Sequence, residues 1–159
     1  MPIRQLSTDS VDGCIANALH EPAATASGGT TRTLVAADSG AVHLLDSASG
    51  VAYTLPVPVA GMCFSFYASV AVTASDVYSI TTDAATTFIG GTVLMGIAAT
   101  DTNESQVGDE TSDVTITMNG STTGGLEGTY IELYALSSTV WLARRSHIIG
   151  SGSLATPFA

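Results

Sequence analysis

The stretch Met62-Cys63-Phe64-Ser65-Phe66-Tyr67-Ala68-Ser69-Val70-Ala71-Val72 decides the fold. Met62, Phe64, Phe66, Ala68, Val70 and Val72 fall on one side of an extended chain. Cys63, Ser65, Tyr67, Ser69 and Ala71 fall on the other. A period of two is the signature of a strand with one face in a core. Burying one large apolar side chain stabilises by roughly 1.5–3 kcal/mol, while fixing each residue's backbone costs about 1–2 kcal/mol. Such a strand therefore needs neighbours on both sides and a layer over its apolar face.

The flanking sequence supplies those neighbours. Upstream, short apolar runs at Thr31 to Ala37, Ala41 to Leu45 and Val51 to Leu55 are split by Asp38-Ser39-Gly40 and by Ser47-Ala48-Ser49-Gly50, which read as turns. Pro56 and Pro58 stop the third run, because proline gives no ladder donor. Downstream, strands are expected at Asp76 to Thr82, Thr87 to Ala98, Asp113 to Asn119, Thr129 to Ala135 and Val140 to Arg144. Gly90-Gly91 marks a turn or bulge, and Val114, Ile116 and Met118 point inward. The polar, acidic stretch Asp101 to Ser112 reads as an exposed loop. The fold class is therefore all-β: an antiparallel sandwich, jelly roll or barrel of eight or nine short strands with extended terminal arms.

Three regions follow from this pattern. Residues 1–30 form an N-terminal arm, residues 31–145 the β domain and residues 146–159 a C-terminal tail. The first region ends in a Gly-, Ala- and Ser-rich run. A short helix from Ser10 to His20, with Val11, Ile15 and Leu19 on one side, is weakened by Gly13. It reads either as a mobile terminus or as an arm that orders on a neighbour. The tail is Gly- and Ser-rich, too weak for another core strand, and reads as a second arm ending in Thr156-Pro157-Phe158.

Composition narrows the function. Charged residues are 11% of the 159-residue chain, against roughly 25% in an average globular protein. Ser and Thr fill the gap. The formal charge is −10, and Arg4, Arg32, Arg144 and Arg145 are the four cations. A nucleic-acid backbone needs clustered Lys or Arg, so that partner is not expected. No secretory signal and no apolar run of about 18 residues is found, so a membrane is not expected either. The glycosylation-type triplets Asn103-Glu104-Ser105 and Asn119-Gly120-Ser121 are read as chance matches. Cys14 and Cys63 are 49 positions apart, too far for a metal pair, and Cys63 reads as a buried free thiol.

No catalytic or metal constellation is expected, and no cofactor. Asp101, Asn103 and Ser105 resemble the opening of a calcium loop, but Gln106 and Ser112 break the pattern, leaving a looser calcium site against a solvated loop. Gly150-Ser151-Gly152-Ser153-Leu154-Ala155 fits a dinucleotide fingerprint in spacing, yet Pro157 and the chain end leave no room for its helix. His20, His43 and His147 lie in different segments, and no nucleophile elbow accompanies them. His43 alternates with apolar neighbours and reads as a packed, hydrogen-bonded histidine. The adjacent Arg144 and Arg145 read as a surface pair or as a salt bridge to an acidic neighbouring copy. The chain is read as a non-enzyme.

Three ordered stretches carry a resemblance: Arg32-Thr33-Leu34-Val35-Ala36-Ala37-Asp38-Ser39-Gly40; Tyr53-Thr54-Leu55-Pro56 with Gly61-Met62-Cys63-Phe64-Ser65-Phe66; and Gly128-Thr129-Tyr130-Ile131-Glu132-Leu133 with Trp141. Together, over about residues 30–145, they resemble β-structured virion proteins of tailed bacteriophages, especially capsid decoration (cement) proteins. The resemblance implies a subunit, often a homotrimer, that binds the major capsid protein from outside the shell after synthesis in the host cytoplasm. It has no catalytic residues to transfer. The implied capsid-binding arm carries Ile3, Arg4, Leu6, Val11, Ile15 and Leu19, and the implied subunit interface Trp141, Arg144, Arg145 and Phe158. The alternative is a receptor- or glycan-binding head-fibre or tail-fibre domain, with Tyr53, Tyr67, Tyr78, Tyr130 and Tyr134 as its exposed aromatics.

Overall fold

The computed structural model describes residues 31–97 and 99–159. Its strands are β1 (Thr31–Thr33), β2 (Val42–Leu45), β3 (Val51–Thr54), β4 (Cys63–Ala68), β5 (Tyr78–Thr81), β6 (Phe88–Ile97), β7 (Thr102–Gly108), β8 (Thr115–Met118), β9 (Tyr130–Ala135) and β10 (Val140–Gly150). They form a four-stranded sheet in the order β1-β3-β5-β8 and a six-stranded sheet in the order β2-β4-β9-β10-β6-β7.

The all-β expectation holds, with two changes of detail. Among the described residues ten strands replace eight or nine, and the sheets are mixed rather than antiparallel. Pairs β1/β3, β3/β5, β2/β4 and β6/β10 are parallel. For the first three pairs the reason lies in the path of the chain. From β1 to β5 it crosses from one sheet to the other at each step. A strand thus meets its sheet neighbour two steps later, running the same way. The result is an open sandwich and not a closed barrel.

One continuous core lies between the sheets. Phe64, Phe66 and Ala68 of β4, as expected from their alternation, join Ile131, Leu133, Trp141, Val93 and Met95. Facing them are Tyr53, Tyr78, Ile80, Ile116 and Met118. The Tyr53 ring meets Phe66 edge-on at 5.2 Å, and Trp141 meets Phe64 likewise at 5.6 Å. The two inner tyrosines also tie the layers through hydrogen bonds. Tyr53 donates to the Leu44 carbonyl at 2.8 Å, and Tyr78 donates to the Val70 carbonyl at 2.9 Å. Burial raises both phenol pKa values, that of Tyr78 to about 12.

Three segments depart from expectation. Strand β6 runs unbroken through Gly90-Gly91. The glycines are there for close approach: a Cβ on Gly91 would lie 2.3 Å from the Ala143 carbonyl oxygen. The irregularity sits opposite, in β10, as a register shift between Ala143 and Ser146. Strand β10 continues to Gly150, past the expected domain limit at 145. Beyond it, Val114 and Thr115 donate to the Ala159 carbonyl, and Thr117 to that of Pro157. Phe158 is buried. Residues 146–159 therefore belong to the β domain and are not a second arm. Cys63 is disulfide-bonded and not a free thiol. It stands opposite Tyr134 on the outer face of its sheet, outside the core cluster, and is itself buried. Cys14, the only other cysteine of the sequence, lies outside the described residues.

Candidate functional site

Each sheet has an outward face, and the two differ in chemistry. On the six-stranded sheet, pairing sets side chains in a row across every strand. Leu44 stands opposite Tyr67, Tyr67 opposite Tyr130, Tyr130 opposite His147, His147 opposite Leu94, and Leu94 opposite Ser105. Tyr67 and Leu94 are exposed, and the Tyr130 and His147 rings stack with centroids 6.4 Å apart. At about 4.8 Å between strands, the row is about 24 Å long.

The neighbouring row holds Val42, Ser65, Glu132 and Arg144. The Arg144 Nε donates to Glu132 Oε1, and its guanidinium lies over the Tyr134 ring at 4.3 Å from the centroid. Tyr130 shares a hydrogen bond with Ser65 at 3.0 Å. The bulge in β10 makes this arrangement work. Arg145 takes φ 48° and adds one residue, so that Ala143 and Ile148 stay buried while Arg144 and His147 both face outward. Ser146 secures the bend. Its Oγ accepts from the Glu132 amide at 3.0 Å and donates to the Arg144 carbonyl at 2.8 Å.

One end of the aromatic row opens into a cleft of about 320 Å³, lined by Leu94, Gly96, Asp101, Asn103, His147 and Ile149 among others. Gly96 leaves space for Asn103 to lie across β6, since a Cβ there would be 2.9 Å from Asn103 Oδ1. The Asn103 amide donates to the Asp101 carbonyl at 3.3 Å.

The outer face of the four-stranded sheet carries only small side chains. One row is Thr31, Ala52, Ser79, Thr117; the next is Thr33, Thr54, Thr81, Thr115. Thr115 donates to Thr81 Oγ1 at 3.2 Å. No charged side chain stands in either row.

The candidate residues now have places. Trp141, with no exposed surface, and Phe158, 6% exposed, are core residues and cannot face another subunit. Their apolar rings fill the space between the sheets instead. Arg144 is held by Glu132 and Tyr134, whereas Arg145 is exposed and has no ion pair among the described residues. Ile3, Arg4, Leu6, Val11, Ile15 and Leu19 lie outside the described residues. Of the five tyrosines, Tyr53 and Tyr78 are buried, while Tyr67, Tyr130 and Tyr134 share the outer face. His43 and His147 lie on opposite faces of the six-stranded sheet. Of the expected acidic loop, residues 102–108 are β7, and Asp109 accepts from the hydroxyl and amide of Thr111, which lowers its pKa. Sequence reading missed His147 and Leu94 as neighbours of the tyrosines, because only strand pairing joins them.

No helix among the described residues is long and apolar enough to cross a membrane. No protein-family model, curated protein or solved structure matches the chain.

Proposed function

We propose that this protein is a structural virion subunit that docks on the outer surface of a phage capsid and stabilises it. It associates with its own copies, as a trimer, and its N-terminal segment reaches neighbouring capsid subunits. The hydroxyl face of the four-stranded sheet carries this reading. Its two rows of Thr, Ser and Ala are small and uncharged. Such a face can approach another protein surface closely, because no ion has to lose its water. Cores of protein interfaces are likewise depleted in charged residues. The formal charge of −10 keeps free copies apart and draws them to basic surfaces.

The test is to find the chain on particles and then to spoil the face. Electron microscopy of purified particles is expected to place it on the capsid exterior. The double substitution Thr54→Arg and Thr81→Arg is expected to lower co-sedimentation with particles stripped of the protein by at least about tenfold, roughly 1.4 kcal/mol. The melting temperature should stay within a few degrees. Undiminished co-sedimentation would remove the hydroxyl face from the interface, and density elsewhere in the particle would overturn the decoration role.

A further inference from the structure

Shell docking makes no use of the opposite face. There the row Tyr67, Tyr130, His147, Leu94 crosses four adjacent strands and ends at the cleft beside Asn103 and Asp101. We propose that this face binds a neutral carbohydrate chain laid across the strands, with its end residue in the cleft.

The chemistry of the row selects the ligand. Sugar rings present an apolar face of C–H groups and a rim of hydroxyls. Aromatic rings on a flat sheet stack on the first, and their polar edges hydrogen-bond the second. Tyr67 is 38% exposed and Leu94 48%, so the row offers apolar area that the domain itself leaves uncovered. Strand spacing repeats the aromatic positions every 4.8 Å or so, which suits a polymer of rings better than a compact ligand. The cleft, at about 320 Å³, lies at the small end of ligand pockets and suits one ring. Asn103 and the Asp101 carboxylate supply a donor and acceptors at its edge.

Charge decides between this ligand and the other one that aromatic rows accept, single-stranded nucleic acid. A polyanion needs a cationic groove. Here the Arg144 guanidinium is already neutralised by Glu132, Arg145 has no cationic neighbour on its strand besides Arg144, and the cleft is lined by the acidic Asp101. The chain as a whole is at −10. An uncharged polyol meets none of that repulsion.

The full chain is tested by native affinity electrophoresis in gels containing hydroxyethyl cellulose, galactomannan or dextran, with alginate as the anionic control. Retardation by at least one of the neutral polymers is expected. Tyr67→Ala and His147→Ala, both exposed positions that leave the core intact, should each weaken it about tenfold. Thr81→Ala, on the other sheet, should not change it. Three outcomes overturn the proposal: no retardation by any neutral polymer, retardation by alginate alone, or retardation that survives the Tyr67→Ala, His147→Ala double variant. A fall in oligomer mass in that double variant without any retardation of the parent would instead make the face a contact between copies. The Thr54→Arg, Thr81→Arg protein separates the two readings: it should lose particle binding and keep retardation.

Discussion

His43 shows how much one position can reveal. Its ring packs against Tyr53, Phe64 and Phe66 with centroids 5.5–5.8 Å away, and Nε2 is buried with no hydrogen-bond partner among the described residues. Burial pushes its pKa below the ordinary 6.5, outweighing the pull of the nearby Asp38 carboxylate. The sign follows by linkage. Below pH 6.5 the unfolded chain takes up a proton at this site that the folded chain refuses. His43's contribution is thus whole above pH 6.5 and is lost as pH falls through 6.5 toward the lowered value. Thermal melts of the parent should show stability falling between pH 6.5 and 5, and His43→Phe should flatten that fall. An unchanged slope in the variant would mean that His43 titrates normally in the fold. The packed histidine was legible from its alternation with apolar neighbours; its unpartnered nitrogen was not. The apolar run around Cys63 suggests a free thiol, but alternation turns Cys63 to the sheet face opposite Phe64 and Phe66, and an apolar neighbourhood in sequence does not exclude a disulfide.

At the level of elements, legibility tracked how local the signal is. Strands β4, β8 and β9 bury one face against the core, so their alternation stands in the sequence. Strand β7 reads as loop in the sequence because every residue but Gln106 and Gly108 is exposed. An edge strand with two wet faces has no reason to alternate. Parallel pairing could not be read at all, since β6 and β10 are joined only through the fold. The aromatic row was half legible for the same reason: its tyrosines could be named, but not their alignment with His147. The C-terminal residues were judged by composition, which hid the burial of one ring. Phe158 fills core space and its neighbours extend the β8 edge. Phe158→Ala should therefore cost roughly 3 kcal/mol in denaturant unfolding, the low end of the range for a buried Phe because a chain end can relax. A cost below about 0.5 kcal/mol, the size of an ordinary surface substitution, would place the tail outside the folding unit.

The whole molecule is held together by burial and hydrogen bonding while its charge works against it. The formal charge is −10 after all four arginines are counted against fourteen carboxylates, so most of the acids have no cation of the chain to pair with, although Glu132 is paired with Arg144. Folding brings these carboxylates closer together than the open chain does, so self-repulsion penalises the compact state. Salt screens that repulsion between charges more than about 10 Å apart at 0.1 M, and four arginines can make few favourable pairs for it to weaken. Raising sodium chloride from about 10 mM to 0.5 M at pH 7 should therefore stabilise the domain by about 1 kcal/mol, or roughly 3 °C in melting temperature. Near pH 4, where carboxylates are partly protonated, the same series should move it less. A melting temperature that falls with salt at pH 7 would show that attractive charge contacts, and not repulsion, dominate. The same screening bears on assembly. Copies that meet through the uncharged Thr and Ser rows have no ion pairs to lose there, so their mass measured by sedimentation should rise along that salt series. A surface held by Arg145 to acids of a neighbouring copy would come apart in it.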